Sequence, residues 1–368
     1  MKSKVKLFNI DKAEQEFKME ITKEFKNYII KAERLLRKEG GALKYIHFHN
    51  DNKITGTNLS EWIEFTTAGS HGLNGILLDI IKLKKILSIF KWQAEILQSN
   101  GRVYIQKGES KKYMDNDEDL HSSDYPETLQ EINTIGVLDQ KCIDAYNVCK
   151  VFSCTDATRY FINGVYFSNE NAIVATDGRR MHLVKHEFKL KYPVIIKQSI
   201  LLKNVHIIDA SIVQLGGIKN ALKVTTDESI TYLIRDIEGQ FPNYKRVIPK
   251  YNDADHQRVI IGKEFFDAVV EVLQFMKVEK DTFNRVYILK DKVAFSSQNY
   301  SDSMIFDYEK LIDLDFNSTF AINAQYLKDL SDTIGNDFDV RYNKQNSAIV
   351  FLHDNHLHVI MPMQLSTK

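Results

Sequence analysis

The sequence predicts an α+β fold of three similar domains, each with two helices and antiparallel sheets, and two observations carry that prediction. Amphipathic helical stretches return at a spacing close to one third of the 368 residues. Between them lie several short strands that end in small, polar turns. A chain of this length exceeds one ordinary core, and repeats of domain size account for the excess.

The first helical stretch runs from Phe25 to Leu36, the second from Cys142 to Phe152 and the third from Phe265 to Met276, at offsets of 117 and 123 residues. A strand and small-polar turn follows each: Ile54-Thr55-Gly56-Thr57-Asn58, Val174-Ala175-Thr176-Asp177-Gly178 and Ala294-Phe295-Ser296-Ser297-Gln298. Their Thr57, Thr176 and Ser297 stand 119 and 121 residues apart. A second helix is expected at Leu77 to Leu87, Ser199 to His206 and Tyr326 to Ile334. Domain boundaries follow at 1–130, with a short N-terminal extension, 131–255 and 256–368.

Charge bounds the function. Lys+Arg and Asp+Glu both number 49, so the chain as a whole exerts no long-range pull on a polyanion. Binding to nucleic acid therefore requires segregated charge. The first helix supplies it: at 100° per residue, Lys23, Lys26, Lys31, Arg34, Arg37 and Lys38 fall within an arc of about 140°, opposite Phe25, Tyr28, Ile29, Ala32, Leu35 and Leu36. A solvated helix face has the same pattern, but such a stripe can also grip phosphates without reading bases. Lys82, Lys84 and Lys85, with Lys91, give the next helix a basic excess over Asp79, and Lys197 joins the DNA-facing set from the middle third. In the last third Lys263, Lys277 and Lys280 are offset by Glu264, Asp267, Glu271 and Glu279, and acidic residues gather at 115–119.

No apolar run approaches the ~20 residues of a membrane span, and Met1-Lys2-Ser3-Lys4-Val5-Lys6 precedes no signal core, which predicts a cytoplasmic protein without a membrane partner. Cys142, Cys149 and Cys154 are confined to one stretch. They fit helix-face thiols in a reducing compartment better than a disulfide framework or a zinc site.

Four segments bear on function. Arg159-Tyr160-Phe161-Ile162-Asn163-Gly164-Val165-Tyr166-Phe167 is followed by Ala175-Thr176-Asp177-Gly178-Arg179-Arg180-Met181, then by Glu238-Gly239-Gln240-Phe241-Pro242-Asn243-Tyr244-Lys245-Arg246-Val247-Ile248-Pro249, and near the end by Val359-Ile360-Met361-Pro362-Met363-Gln364-Leu365. Asp177-Gly178 reads as a tight turn between strands, where glycine supplies backbone freedom, and taken alone it is an ordinary hairpin. Together and in this order the segments resemble the DNA polymerase III beta subunit, the bacterial sliding clamp. Thr55-Gly56-Thr57-Asn58-Leu59 and Ala321-Ile322-Asn323-Ala324-Gln325-Tyr326-Leu327 extend the likeness into the flanking thirds.

The resemblance implies the DNA-clamp fold and a head-to-tail homodimer whose six domains close a ring around double-stranded DNA, independent of sequence. It also implies a non-catalytic processivity factor with no cofactor. Its partners would be the DNA polymerase III alpha subunit, an ATP-using clamp loader and other proteins that carry clamp-binding peptides. By likeness, Ile162, Thr176, Gly178, Arg179, Arg180, Met181, Pro242, Val247, Val359, Met361 and Met363, with Arg159 flanking, form a hydrophobic peptide-binding cleft. Val272 and Leu273 are assigned to the dimer interface.

The sequence departs from the family where Arg179 replaces the usual His and Met181 the usual Leu, in an N-terminal extension of about 15 residues and in a Ser366-Thr367-Lys368 tail.

Other readings are weaker. A metal-dependent phosphoryl-transfer site on Thr176, Asp177 and Arg180 lacks a phosphate loop and a second carboxylate motif. His353, His356 and His358 could ligate a metal, since His356 and His358 share a strand face, but strand histidines more often serve hydrogen bonding. A sequence-reading DNA binder, with no ring, would need Arg, Asn or Gln on a major-groove helix, and the stripe is lysine-rich.

Overall fold

The computed structural model describes residues 17–49, 52–99, 102–114, 120–127, 129–216, 220–250, 257–278, 283–288, 292–297, 303–307, 320–342 and 348–363. The N-terminal extension, the acidic run at 115–119, Gln298, Glu279, Lys280 and residues 364–368 lie outside them. Among the described residues are five α-helices: α1 (Lys23–Leu36), α2 (Ile80–Ile89), α3 (Gln140–Cys149), α4 (Lys263–Val278) and α5 (Ala324–Thr333). None is long and apolar enough to cross a membrane. The chain divides into two compact units, one comprising Met1–Gln130, Val205–Asp209 and Lys223–Ile234, the other the remainder.

In the first unit α1 begins where the Thr22 hydroxyl accepts the Phe25 amide at 3.2 Å, filling one of the orphan donors of a helix start. Its apolar face is fully enclosed: Phe25 and Tyr28 stand 5.5 and 5.6 Å from the Phe65 ring. Leu36 reaches the sheet at Gly56, where any Cβ would come within 2.9 Å of its Cδ1, so the glycine permits the helix to sit this close. Beneath lie the antiparallel strands Ile230–Arg235, Glu61–Thr66, Lys53–Thr57, Tyr45–Phe48 and Ile76–Asp79, in that order. A four-stranded sheet orders Phe17–Glu20, Glu95–Ser99, Arg102–Lys107 and Ser110–Met114. The helix expected to begin at Leu77 begins at Ile80. Ile76–Asp79 is strand, and the Asp79 carboxylate caps the helix by accepting the amides of Ile81 and Lys82 at 2.9 and 3.0 Å.

In the second unit eight antiparallel strands run Val194–Lys197, Gly164–Ser168, Ala172–Thr176, Arg180–Lys185, His356–Ile360, Ile349–His353, Phe338–Tyr342 and Gln257–Ile261. The middle and last thirds meet in this sheet, with Met181 opposite Val359 and His182 opposite His358. A further sheet orders Ser303–Asp307, Lys292–Ser297, Phe283–Ile288 and Phe320–Ile322. Phe265, Phe266, Val269 and Val272 of α4 and Leu327 and Leu330 of α5 share one core with Phe338, Phe351 and Phe152.

Ser199–His206, expected as a helix, is turned backbone without a helical ladder. Its carbonyls are taken by α3 and the residue that follows it: Asn147 Nδ2 donates to the Leu202 carbonyl at 2.7 Å and Lys150 Nζ to that of Ser199 at 2.8 Å. The Ser199 hydroxyl accepts the Leu201 amide at 3.1 Å, and Asn204 is left-handed at φ 56°, both features of turns.

Candidate peptide-binding cleft

The site is built on the hairpin of Ala172–Thr176 and Arg180–Lys185. Asp177 closes its turn: Oδ1 accepts the amides of Arg179 and Arg180 at 2.8 and 2.9 Å, and Oδ2 faces Arg180 Nε at 3.0 Å. Thr176 Oγ1 donates to the Arg180 carbonyl at 2.6 Å and accepts the Gly178 amide at 3.0 Å. Gly178 has φ 88°, and a Cβ there would lie 2.9 Å from Arg159 Nη1, which itself donates to the Asp177 carbonyl at 2.8 Å. Three polar side chains thus fix a turn that only glycine occupies without strain.

A second wall comes from the segment after the Ile230–Arg235 strand. The Ile237 amide donates to the Ile195 carbonyl at 2.7 Å, and Gly239, at φ 144°, passes so near Phe161 that a Cβ would meet its Cβ at 3.1 Å. Phe241 then stacks on Tyr166 at 4.6 Å with the rings 6° from parallel, and a short 3-10 turn, Tyr244–Val247, carries the rim. The third wall follows His356–Ile360, where the Met361 amide donates to the Arg179 carbonyl at 2.9 Å.

These segments enclose a cleft of about 680 Å³, mouth included, lined by Ile162, Thr176, Gly178, Arg179, Arg180, Met181, Phe241, Pro242, Asn243, Tyr244, Val247, Val359 and Met361. Ile162, Met181 and Val359 form its buried floor, continuous with Val174, Leu183 and Val350 beneath. Val247 at 47% and Met361 at 45% exposure stand at the rim.

Of the residues expected here, ten line the cleft and two do not. Arg159 lies behind the turn. Met363 lines an adjoining depression with Arg179, Asn323, Tyr326, Met361 and Pro362, and its amide donates to the Ala321 carbonyl at 2.8 Å. Phe241, Asn243 and Tyr244 were missed as lining residues although they belong to a segment quoted for the resemblance; the contiguous Phe-Pro-Asn-Tyr was the available signal.

Arg180 is 9% exposed and holds both Asp177 and Asp329, its Nη1 2.7 Å from Asp329 Oδ2, with its guanidinium 4.3 Å from the Tyr326 ring centre. Arg180 is therefore committed within the protein, and Arg179 is the cation at the mouth. The same commitments weaken a phosphoryl-transfer reading, since the carboxylate of Asp177 is spent on the turn.

On the reverse face of the strand pair, three imidazoles form a chain. His182 Nδ1 lies 3.2 Å from His358 Nδ1, and His182 Nε2 lies 3.1 Å from His356 Nδ1. Burial pushes His182 and His358 well below the usual histidine range, reinforced at His358 by the Arg180 charge, and burial also lowers His356. These rings are mutually hydrogen-bonded rather than converging on a point, as ligands of one metal must. His353 instead meets the Asp337 carbonyl at 2.7 Å.

The basic stripe lies on α1 and the turn that follows it: Lys23 and Arg34 on the helix, and Arg37 and Lys38 just past its end, are exposed. Lys31 is paired with Glu228 at 2.9 Å beside Tyr232, Lys26 lies over Trp92 at 5.2 Å, and Lys84 of α2 pairs with Glu33 at 2.9 Å. Lys82 and Lys85 are exposed, while Lys197 is half-buried at a strand end. Val272, assigned to an interface, is fully enclosed in the core of the second unit, because it lies on the same inward face of α4 as Phe265 and shares that core with Leu327 and Leu330 of α5; Leu273 is partly buried against the same core.

The fold is that of the bacterial beta sliding clamp. A clamp from Bartonella birtlesii solved bound to griselimycin superposes with a TM-score of 0.77 at 19% identity, over 95% of this chain and 99% of that one. The Helicobacter pylori beta clamp solved bound to a DNA ligase peptide gives 0.74 at 16%, over 95% and 100%. In sequence the chain is a distant homologue of beta sliding clamps: 24% identical over 188 residues to that of Proteus mirabilis, 25% over 235 to that of Rickettsia felis and 21% over 290 to that of Vibrio cholerae. Those matches cover 48%, 57% and 73% of this chain, and 49%, 61% and 76% of the relatives. No protein-family model matches the chain.

Proposed function

We propose that this chain is a subunit of a DNA sliding clamp, a non-catalytic processivity factor. It encircles duplex DNA as a head-to-tail homodimer and tethers a replicative polymerase, with other clamp-binding proteins, through short peptides. The observation that carries this is the cleft: four segments of the chain meet as an apolar depression with the exposed Arg179 at its mouth. It suits a linear peptide with two apolar anchors, whose burial contributes about 3–6 kcal/mol before ordering costs. Exchangeable binding follows, as partners that take turns require. The H. pylori relative holds a ligase peptide, which agrees with the same use here.

A ring needs three domains per subunit, at 1–130, 131–255 and 256–368, and a sequence-tolerant inner surface. Lys23, Arg34, Arg37, Lys38, Lys82 and Lys85 supply exposed phosphate contacts in the first, with Lys26 and Lys197 as partly buried additions. Closure with twofold symmetry requires two identical interfaces, and Leu273 remains at the surface of α4 to contribute. The protein is placed in the cytoplasm with the polymerase it serves.

The test is topological. Full-length protein placed on a nicked plasmid by a clamp loader should co-elute with the circle and leave when the plasmid is cut once. Equal retention on circular and linear DNA, or a monomer at every concentration in sizing experiments, would refute the ring.

A further inference from the structure

Outside the cleft, three side chains of different ligating chemistry meet at the start of α3. Asp139 caps the helix, accepting the Cys142 amide on Oδ1 at 2.9 Å. His186, just beyond the strand Arg180–Lys185 and 47 residues from Asp139, directs Nε2 at both carboxylate oxygens, 3.0 and 2.8 Å away. The Cys142 thiol is buried in the first turn of the same helix. One carboxylate oxygen, the imidazole nitrogen and the sulfur all lie within 4.8 Å of one another.

We propose that Asp139, Cys142 and His186 form a binding site for a borderline-soft divalent transition ion of the zinc class. The donor set is one sulfur, one nitrogen and one oxygen, which favours such an ion over magnesium or calcium. A helix cap requires only the carboxylate. An imidazole brought from a distant strand end and a thiol at the same point complete a ligand set that capping does not explain.

Metal bonds of about 2.0–2.3 Å in tetrahedral array separate the donors by roughly 3.3–3.8 Å, so the His186–Asp139 contact opens by about half an ångström as the ion enters. The ion displaces the Cys142 proton, which leaves to solvent as the S–H bond gives way to a metal–sulfur bond. Thiolate and carboxylate then neutralise the dication, which leaves no net charge at a helix start that disfavours cations. The Asp139 side chain is exposed, which gives the ion access from solvent. The fourth position is open to water.

Cobalt(II) titrated into the full chain tests the site, with its absorption spectrum as the readout. One equivalent should produce a near-ultraviolet thiolate-to-cobalt band with the visible bands of a four-coordinate ion. Cys142→Ser should abolish the near-ultraviolet band, His186→Gln should weaken cobalt binding by about tenfold or more, and Cys154→Ala should leave both unchanged. The variant at His186, which is only half-buried, decides the matter should Cys142→Ser not fold. Cobalt bound without a thiolate band, a band that survives Cys142→Ser, or unaltered affinity in His186→Gln would overturn the proposal.

Discussion

Arg180 Nη1 donates to Asp329 Oδ2 across 2.7 Å and thereby fastens the turn of the cleft hairpin to α5. The two residues are 149 apart in sequence, and the pair joins the middle third of the chain to the last. Asp329→Ala leaves Arg180, 9% exposed, with half its carboxylate support, and should destabilise the protein by about 2–3 kcal/mol. Urea unfolding of wild type and variant measures the loss. Peptide binding should weaken as well, because Arg179 and the turn lose their anchor.

Gly178 should tolerate little. With φ at 88° and a Cβ aimed at Arg159 Nη1, Gly178→Val costs about 1–3 kcal/mol and moves the turn. A fluorescent clamp-binding peptide should bind at least about tenfold more weakly while circular dichroism shows a folded protein.

Met361 lines both the cleft and its neighbour, and Met363 the neighbour alone. Met361→Ala removes a rim contact of the main cleft and should weaken a peptide by about 1–2 kcal/mol. Met363→Ala should affect only ligands long enough to enter the adjoining depression. Oligomeric state, read by analytical ultracentrifugation, should change in neither.

The stripe on α1 separates structural cations from those free for DNA. Charge removal at Arg34, Arg37 and Lys38 should each lower the slope of log affinity against log salt by about one. Lys31→Ala and Lys84→Ala should leave that slope near its original value, since both ammonium groups are held by carboxylates. Filter binding on linear duplex at several salt concentrations distinguishes the two sets.

The histidine chain makes stability pH-dependent. His182 and His358 are held well below 6.5 when folded, so the unfolded chain binds more protons in acid. Their contribution is complete above about pH 6.5 and is lost progressively as pH falls below it toward the folded values. His356 acts in the same sense, with Arg180, His353 and Asp354 the charged groups around the chain. Thermal melts at pH 7.5, 6.5 and 5.5 should fall in that order, and His358→Leu should flatten the trend.

Much of the fold was legible because its signals were local. The period of α1 placed Phe25, Tyr28 and Leu36 inside, and they are fully or almost fully buried. The segment around Asp177-Gly178 announced a hairpin, and hairpin it is. Where the sequence misled, nonlocal hydrogen bonding decided. Ser199–His206 has apolar residues enough for a helix, yet side chains from and just after α3 claim its carbonyls. Leu77 and Leu78 are as compatible with strand as with helix, and pairing with Tyr45–Phe48 made them strand. Val272 shows the limit of a face-by-face reading, since an interface residue and a core residue look alike until the opposite wall is known. His182 drew no notice because its partners, His356 and His358, are more than 170 residues away.

The strand that supplies Met181 to the cleft lies edge to edge with the strand that supplies Val359, in the interior of an eight-stranded sheet. A passenger dragging on a peptide seated there pulls against the seam between those two strands. The load spreads through rows of amide bonds on both sides before any one row yields. A mooring built this way should release its rope, the peptide, well before the post itself bends.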